Sequence, residues 1–348
     1  MILLLILFFG FKSFAFAIGN RFKDTVSIIT FKGWELSELK IYSIRGVKLN
    51  SKVFDSVVTI KAFEDKIIIN YDTLSKCKVT SLTGGFITLK KDSLIKRTVR
   101  GVVYISCSNG LLNIVSKVPI KDYLASTLAC ETSVSEPIEY MIALSVLQRN
   151  YFVSHLARHD SVDLCDNTHC QKAFSKIVTS KHYTAISKGL KIRLGKLDTI
   201  PCYYSANCGG RTLTPLEVWN NEEYGYSSIE CNNCSKGKYY RWVREIVSTT
   251  RVDEFLRSAN ETPFIDDNFK IRFGREFGFN IILSNTVDKI EKRNKKFIIH
   301  GKGFGHRIGL CQEGAIMLAK KGFTPMDILR YYFPNVSIIT DMEYFLDK

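Results

Sequence analysis

From about Ser27 to Ile114, apolar and polar residues alternate in short runs, VSIITF, VVTIKAF, KIIINY, GFITL and GVVYIS, separated by Gly, Asn, Asp and Ser. A period of two in β-branched and aromatic residues, bounded by turn formers, predicts antiparallel strands. At Val118 the pattern changes. VPIKDYLASTLACE is helical in composition, and Ser135 then predicts an N-cap, with Pro137 in the first turn of a second helix, IEYMIALSVLQRNYFVSHLA. That helix is apolar on nearly every face, which predicts a buried central helix. Strands resume from Ile200, an Asn- and Lys-rich stretch runs from about Asn260 to Lys296, and GFTPMDILRYYF predicts a short terminal helix. There is no internal repeat and no low-complexity linker. The fold class is α+β, with a β-rich N-terminal region over 18–100 and a second domain over 101–340 built of mixed strands around the buried helix.

The ends and the composition change this picture little. The first seventeen residues, MILLLILFFGFKSFAFA, form an apolar run ending in Ala15-Phe16-Ala17, the small-x-small pattern of a signal-peptidase site. No Lys or Arg precedes the run, so an uncleaved membrane anchor is the alternative to a signal peptide; either exports the rest of the chain to the periplasm or cell envelope. The 348 residues are 45% hydrophobic and 24% charged, the composition of a soluble globular protein. The formal net charge of +15 favours polyanions. For an exported chain these are cell-wall polymers or a membrane surface, unless the charge serves solubility alone. Nucleic-acid motifs are absent, and nucleic acid is not an expected partner.

Four constellations carry chemistry. Glu131 stands in Ala129-Cys130-Glu131-Thr132-Ser133, between the two predicted helices. A carboxylate at a helix end against an apolar wall has its ionised form disfavoured, which suits a general acid. His159, Cys165, His169 and Cys170 fall within twelve residues and supply the soft and borderline donors of a closed, structural zinc site, with His155 one helical turn earlier as a substitute for His159. The competing reading is a Cys165–Cys170 disulfide. Cys202, Cys208, Cys231 and Cys234 form a third group, and the C-x2-C spacing of its last two suits either a second zinc site or a disulfide pair. Cys77, Cys107, Cys130 and Cys311 have no spacing pattern and are expected as buried thiols. Last comes Gly301-Lys302-Gly303-Phe304-Gly305-His306-Arg307-Ile308-Gly309, followed by Gln312. Its glycines permit close approach of backbone or ligand, while His306 and Gln312 offer hydrogen bonds.

The order of these motifs resembles the SpoIID/LytB family, bacterial proteins that act on peptidoglycan during sporulation, septation or amidase activation. Val118-Pro119-Ile120-Lys121-Asp122-Tyr123-Leu124 followed by Glu131 is similar to the family's "lpleeYL…E"; Ala143 through Arg149-Asn150-Tyr151 resembles its "A…aRTY" helix. Asp163-Leu164-Cys165-Asp166 with His169-Cys170-Gln171 is similar to "ydlcd…hcQ". Cys208-Gly209-Gly210-Arg211-Thr212 with Trp219 resembles "CGGrT…vw", and the glycine loop through Phe333 resembles "GHGvGmsQ.GA…ILkyYY". The resemblance spans roughly residues 100 to 340. Leu144 stands where Gln is frequent, Arg307 where Gly usually follows the His, and Cys311 where Ser is common. Arg307 is expected to place a bulky cation beside His306 and so to alter substrate selection.

The resemblance implies a SpoIID-like catalytic core and a lytic transglycosylase, which cuts the MurNAc–GlcNAc linkage of amidase-denuded glycan without water and leaves 1,6-anhydroMurNAc ends. Glu131 is then the acid and base. Arg149, Tyr151, Gln171, His306 and Gln312 position the glycan or stabilise its oxocarbenium-like transition state. Zinc is structural, and the chemistry itself needs no cofactor. The implied partners are peptidoglycan strands and an N-acetylmuramoyl-L-alanine amidase. The rival readings are a non-catalytic enhancer of that amidase and a zinc hydrolase using His159 or His169.

Overall fold

A computed structural model describes residues 24–195, 201–257 and 267–340. The expected leader, residues 1–17, lies outside the described residues. Among the described residues no helix is long and apolar enough to cross a membrane. The chain divides into two compact units: the described residues up to Thr132 with His155–Tyr183, and Ser133–Ser154 with the described residues from Thr184 onward.

The first unit is built from twelve strands in succession, β1 (Thr25–Ile29), β2 (Glu38–Tyr42), β3 (Val47–Leu49), β4 (Lys52–Phe54), β5 (Val58–Phe63), β6 (Lys66–Ile69), β7 (Asp72–Leu74), β8 (Lys76–Ser81), β9 (Phe86–Lys90), β10 (Lys96–Arg100), β11 (Val102–Ser108) and β12 (Leu111–Pro119). The helix α1 (Ile120–Glu131) follows directly, and the two-residue β13 (Leu164–Cys165) comes from the returning segment. One sheet runs β13-β1-β12-β11-β8-β3-β4 and the other β10-β9-β2-β5-β6-β7. All neighbours are antiparallel except β1 and β13, which are parallel. The alternation read from the sequence is the burial pattern found. In β11, Val103, Ile105 and Cys107 are buried while Tyr104, Ser106 and Ser108 are exposed. Each Leu or Ile turned inward contributes about 1.5–3 kcal/mol through burial.

Strands beyond residue 100 share a sheet with strands before it: β11 pairs with β8, and β12 pairs with β1 at Val26↔Val118. The N-terminal strands need β11 and β12 to complete their sheet, so the unit runs on to Thr132.

In the second unit α2 (Ile138–Ser154) is buried without a break from Tyr140 to Asn150, as its all-round apolar sequence requires. Its start differs from the expected Ser135 cap. The Pro137 carbonyl accepts the first helical bond, from Met141 N–H at 3.2 Å, which makes Pro137 the capping residue. The helix α3 (Ser180–Gly189) spans the division between the units. Beyond it come β14 (Ile192–Arg193), β15 (Tyr204–Ser205), α4 (Pro215–Trp219), β16 (Arg241–Val247), α5 (Thr250–Arg257), α6 (Asp267–Phe277), β17 (Val287–Arg293), β18 (Lys296–Lys302), β19 (Leu310–Cys311), α7 (Gln312–Lys320), α8 (Pro325–Tyr332) and β20 (Ile339–Thr340). Strands β16-β18-β17 form an antiparallel sheet whose Trp242 and Ile299 share a core with Phe269 and Phe273 of α6. The terminal helix is found where predicted. Thr324 and Asp327 form a reciprocal capping box at its start, and Pro325 occupies its first turn. Both α7 and α8 pack on α2.

Candidate active site and metal centre

β12 passes into α1 without a loop, and the Ile120 N–H is held by the Asp24 carbonyl at 3.1 Å. Every side chain from Asp122 to Cys130 is buried, so α1 is enclosed down to its last turn. Glu131 is the final helical residue and is half-buried. Thr132 ends the helix in an extended conformation, and its N–H and hydroxyl both donate to the Leu128 carbonyl, at 2.9 and 2.7 Å. Glu131 was expected in the turn between the helices. The structure gives it to the C-terminal turn of α1, where the helix carbonyls present partial negative charge.

The segment holding the His/Cys cluster is clamped to β1 on both sides of Cys165. Ser27 donates to Asp163 Oδ2 from its N–H at 2.9 Å and its hydroxyl at 2.6 Å. The buried Asp166 carboxylate accepts from the N–H groups of Phe31 (2.9 Å) and Lys32 (3.0 Å) and from Arg97 Nε (2.5 Å). Between these clamps the parallel β1–β13 pairing fixes Cys165 opposite Ile29.

The ligand atoms of His159, Cys165, His169 and Cys170 all lie within 4.8 Å of one another. His159 Nε2 is 3.3 Å from Cys170 Sγ, and His169 Nδ1 is 3.6 Å from Cys170 Sγ and 3.9 Å from Cys165 Sγ. A tetrahedral zinc with bonds of about 2.0–2.1 Å to nitrogen and about 2.3 Å to sulfur spaces such atoms roughly 3.6 Å apart. The four side chains therefore fit one zinc ion, and His159, rather than His155, belongs to the set. Both cysteines are free thiols, so no disulfide joins them. The Cys165 thiol is held well below the ordinary thiol range, first because Cys170 hydrogen-bonds to it, while the proton stays on Cys170, whose own value is raised. Two imidazoles and two thiolates fill a tetrahedron and leave no open position for a reacting water.

Beyond the cluster the chain returns to α1. Tyr123 Oη donates to Gln171 Oε1 at 3.2 Å, and the Cys130 thiol lies 3.2 Å from the Ser175 hydroxyl. Phe174 packs edge-on against Tyr123, with ring centroids 6.2 Å apart. The loop that a metal would close is thus the loop that braces the helix ending in Glu131.

The other candidates, Arg149, Tyr151, His306 and Gln312, belong to the second unit. Arg149 is buried; its Nη1 donates to the carbonyls of Ile192 (2.7 Å) and Gly189 (3.4 Å), and its Nη2 to Asn150 Oδ1 at 2.8 Å. From there it braces α2 against the chain that follows α3. Tyr151 is half-buried and near Tyr203, whose hydroxyl is raised by burial first and by Glu223 next.

His306 is flanked by Tyr203 and Trp219, with ring centroids at 6.0 and 5.4 Å, an aromatic setting that the glycine pattern did not reveal. Its Nδ1 accepts from the Ile308 N–H at 3.0 Å. Burial lowers its pKa to about 4; Lys270 lowers it further, while Asp267 and a hydrogen bond to the Tyr204 carbonyl oppose this. The imidazole is neutral at pH 7. Gln312 opens α7, and its buried Nε2 has no hydrogen-bond partner among the described residues. Gly309 shapes this loop. Its φ is +70°, and a Cβ there would sit 2.2 Å from the Tyr203 carbonyl oxygen.

Two expectations about this loop are corrected. Arg307 does not project beside His306 to meet substrate. It is buried at φ +68°, and it donates from Nε to the Cys208 carbonyl at 2.6 Å, from Nη2 to the Arg211 carbonyl at 2.9 Å and from Nη1 to Thr286 Oγ1. Cys311 is not an isolated thiol. With Cys208, Cys231 and Cys234 it forms a compact four-sulfur group, and Cys202 has no place in that group.

Residues 108–191 match the family model SpoIID, described as stage II sporulation protein. The chain is 40% identical over 269 residues, 67% of its length and 78% of the relative's, to stage II sporulation protein D of Bacillus subtilis. It is 24% identical over 258 residues, 66% of its length and 69% of the relative's, to an uncharacterized protein of Brachyspira hyodysenteriae. A shorter match, 35% identical over 57 residues, covers 16% of this chain and 8% of an amidase enhancer of Bacillus subtilis. The chain belongs to the SpoIID family.

Proposed function

We propose that this chain is an exported peptidoglycan lytic transglycosylase that remodels the cell wall at sporulation or septation, acting on glycan strands already stripped by an amidase. The observation that carries the reading is the placement of Glu131 at the end of an enclosed helix whose last turn is braced by the His/Cys loop. Glu131 donates its proton to the glycosidic oxygen as the bond from that oxygen to C1 of muramic acid breaks. The carboxylate left behind then takes the proton of the C6 hydroxyl, and O6 closes on C1. Proton and charge balance without water, and one carboxyl group suffices where an ordinary glycosidase uses two.

Tyr151, His306 and Gln312 are proposed to hold glycan, the Gln312 Nε2, unpartnered among the described residues, and the neutral His306 beside its aromatic neighbours being suited to sugar hydroxyls. Zinc held by His159, Cys165, His169 and Cys170 would supply rigidity to the loop behind α1. The net charge of +15 suits an anionic wall.

The test is mass spectrometry of intact and of amidase-stripped peptidoglycan after incubation with the purified chain. Anhydro-muramic ends from stripped strands support the reading; strands left uncut by folded, zinc-loaded protein overturn it. The short match to an amidase enhancer motivates the second reading, stimulation of an amidase without turnover. In that case a Glu131→Gln chain would stimulate the amidase as well as wild type does.

A further inference from the structure

We infer that Cys208, Cys231, Cys234 and Cys311 form a second metal centre, a mononuclear four-thiolate site for zinc contained wholly within the second unit. Three stretches of chain bring the sulfurs together. The parallel pairing of β15 with β19 sets Ser205 opposite Cys311, and three residues later the Cys208 N–H donates to Cys311 Sγ at 3.3 Å. Cys231 caps a single 3-10 turn, Asn232–Cys234, that Cys234 ends, and the turn is anchored where the Cys231 N–H meets the Gly210 carbonyl at 2.8 Å. A turn of this kind directs the two sulfurs of a C-x2-C pair to the same side.

The distances select the ligand. All four Sγ atoms lie within 4.8 Å of one another, and Cys208 and Cys234 are 3.5 Å apart. Zinc–sulfur bonds of about 2.3 Å place the corners of a tetrahedron roughly 3.8 Å apart. A disulfide brings its sulfurs to about 2.05 Å, and all four thiols are free. A multi-iron cluster would hold the cysteines farther apart, because its irons and sulfides stand between them. One ion fits.

The surroundings are those of thiolates rather than of packed thiols. All four cysteines are buried. The Cys208 N–H and the Tyr332 hydroxyl, 3.3 Å from Cys231 Sγ, supply hydrogen bonds to sulfur. Four thiolates around a divalent ion carry a net charge of −2, which needs a nearby cation when buried. Arg307 is that cation: its guanidinium grips the Cys208 carbonyl, and it interacts electrostatically with Cys208 and Cys234 as well as with Asp288. Close packing at the sulfurs is also built in. A Cβ on Gly314 would lie 2.7 Å from Cys231 Sγ and 2.2 Å from the Tyr332 hydroxyl. The ion would staple the Cys208-Gly209-Gly210 turn and the Cys231 turn to the start of α7, fixing the end of the loop that carries His306 and the helix start that carries Gln312.

The test is the zinc content of the full chain, purified with zinc and desalted, measured by native mass spectrometry and elemental analysis for wild type, Cys311→Ser and Cys165→Ser/Cys170→Ser. Two zinc ions per wild-type chain and one in each variant are expected. A single wild-type zinc that disappears in Cys311→Ser but survives in Cys165→Ser/Cys170→Ser keeps this centre and removes the other. A wild-type zinc content unchanged by Cys311→Ser overturns the inference. So does a disulfide among these four cysteines in the native protein, or stoichiometric iron in place of zinc. The wild-type measurement needs no variant to fold: fewer than two metals when the His/Cys site is filled is decisive by itself.

Discussion

The Cys130 thiol sits 3.2 Å from the Ser175 hydroxyl, so the residue directly before Glu131 is fastened to the segment that leaves the His/Cys cluster. With the Tyr123–Gln171 bond one face of α1 is held at two points, both on the chain that follows Cys170. A metal in the cluster would therefore act on Glu131 through the position of its helix and not through chemistry of its own.

Stripping zinc with a strong chelator should lower the melting temperature and the turnover together, and zinc should restore both. Differential scanning fluorimetry beside a product assay checks this. Loss of turnover at an unchanged melting temperature would point instead to a metal that takes part in the reaction.

Tyr123→Phe keeps the ring against Phe174 and removes only the hydroxyl given to Gln171. A buried hydrogen bond of this kind is worth about 1 kcal/mol net, so the urea midpoint should fall accordingly with an unchanged slope. If the brace matters for Glu131, kcat should drop more than KM rises.

His306 makes a pH-dependent contribution to stability. Burial lowers its folded pKa to about 4 from the ordinary imidazole value of 6.5. Between these values the unfolded chain binds more protons, so stability rises with pH through this window and the contribution is lost on acidification. The shift corresponds to as much as about 3 kcal/mol between pH 4 and pH 7. Urea midpoints across that range should slope less steeply for His306→Gln than for wild type; equal slopes would contradict the assignment.

At Arg307 two effects oppose. Replacing it with Gly relieves a left-handed backbone at φ +68°, worth roughly 1–2 kcal/mol. It also strands the acceptors at Cys208, Arg211 and Thr286, each costing about 1–3 kcal/mol when buried and unpaired. The second effect is larger, so Arg307→Gly should lower stability in a denaturant titration, although Gly is the residue the family resemblance expects there.

Local rules carried much of the fold. The alternation in β11, the all-round apolar α2 and the terminal helix α8 depend on neighbours a few residues apart, and each was legible. The His/Cys set was legible for the same reason, since its four ligands lie within twelve residues. Cys311 was not: its sulfur partners lie far back in the chain, at Cys208, Cys231 and Cys234, and tertiary structure such as the β15–β19 pairing brings them to it. Arg307 failed differently. Its position in the loop was plain, but whether its side chain turns to substrate or to the Cys208 backbone depends on a positive φ that the sequence does not state. The limit of the first unit was hidden because β12 pairs with β1, across most of the unit's length.

The central claim rests on Glu131, and the most direct measurement is the rate at which Glu131→Gln releases anhydro-muramic products from amidase-stripped glycan, with zinc content and melting temperature recorded on the same sample. The account predicts a loss of at least about a hundredfold, the scale of general acid–base catalysis, in a protein that keeps its zinc and its melting temperature. Turnover near the wild-type rate in that variant would contradict it.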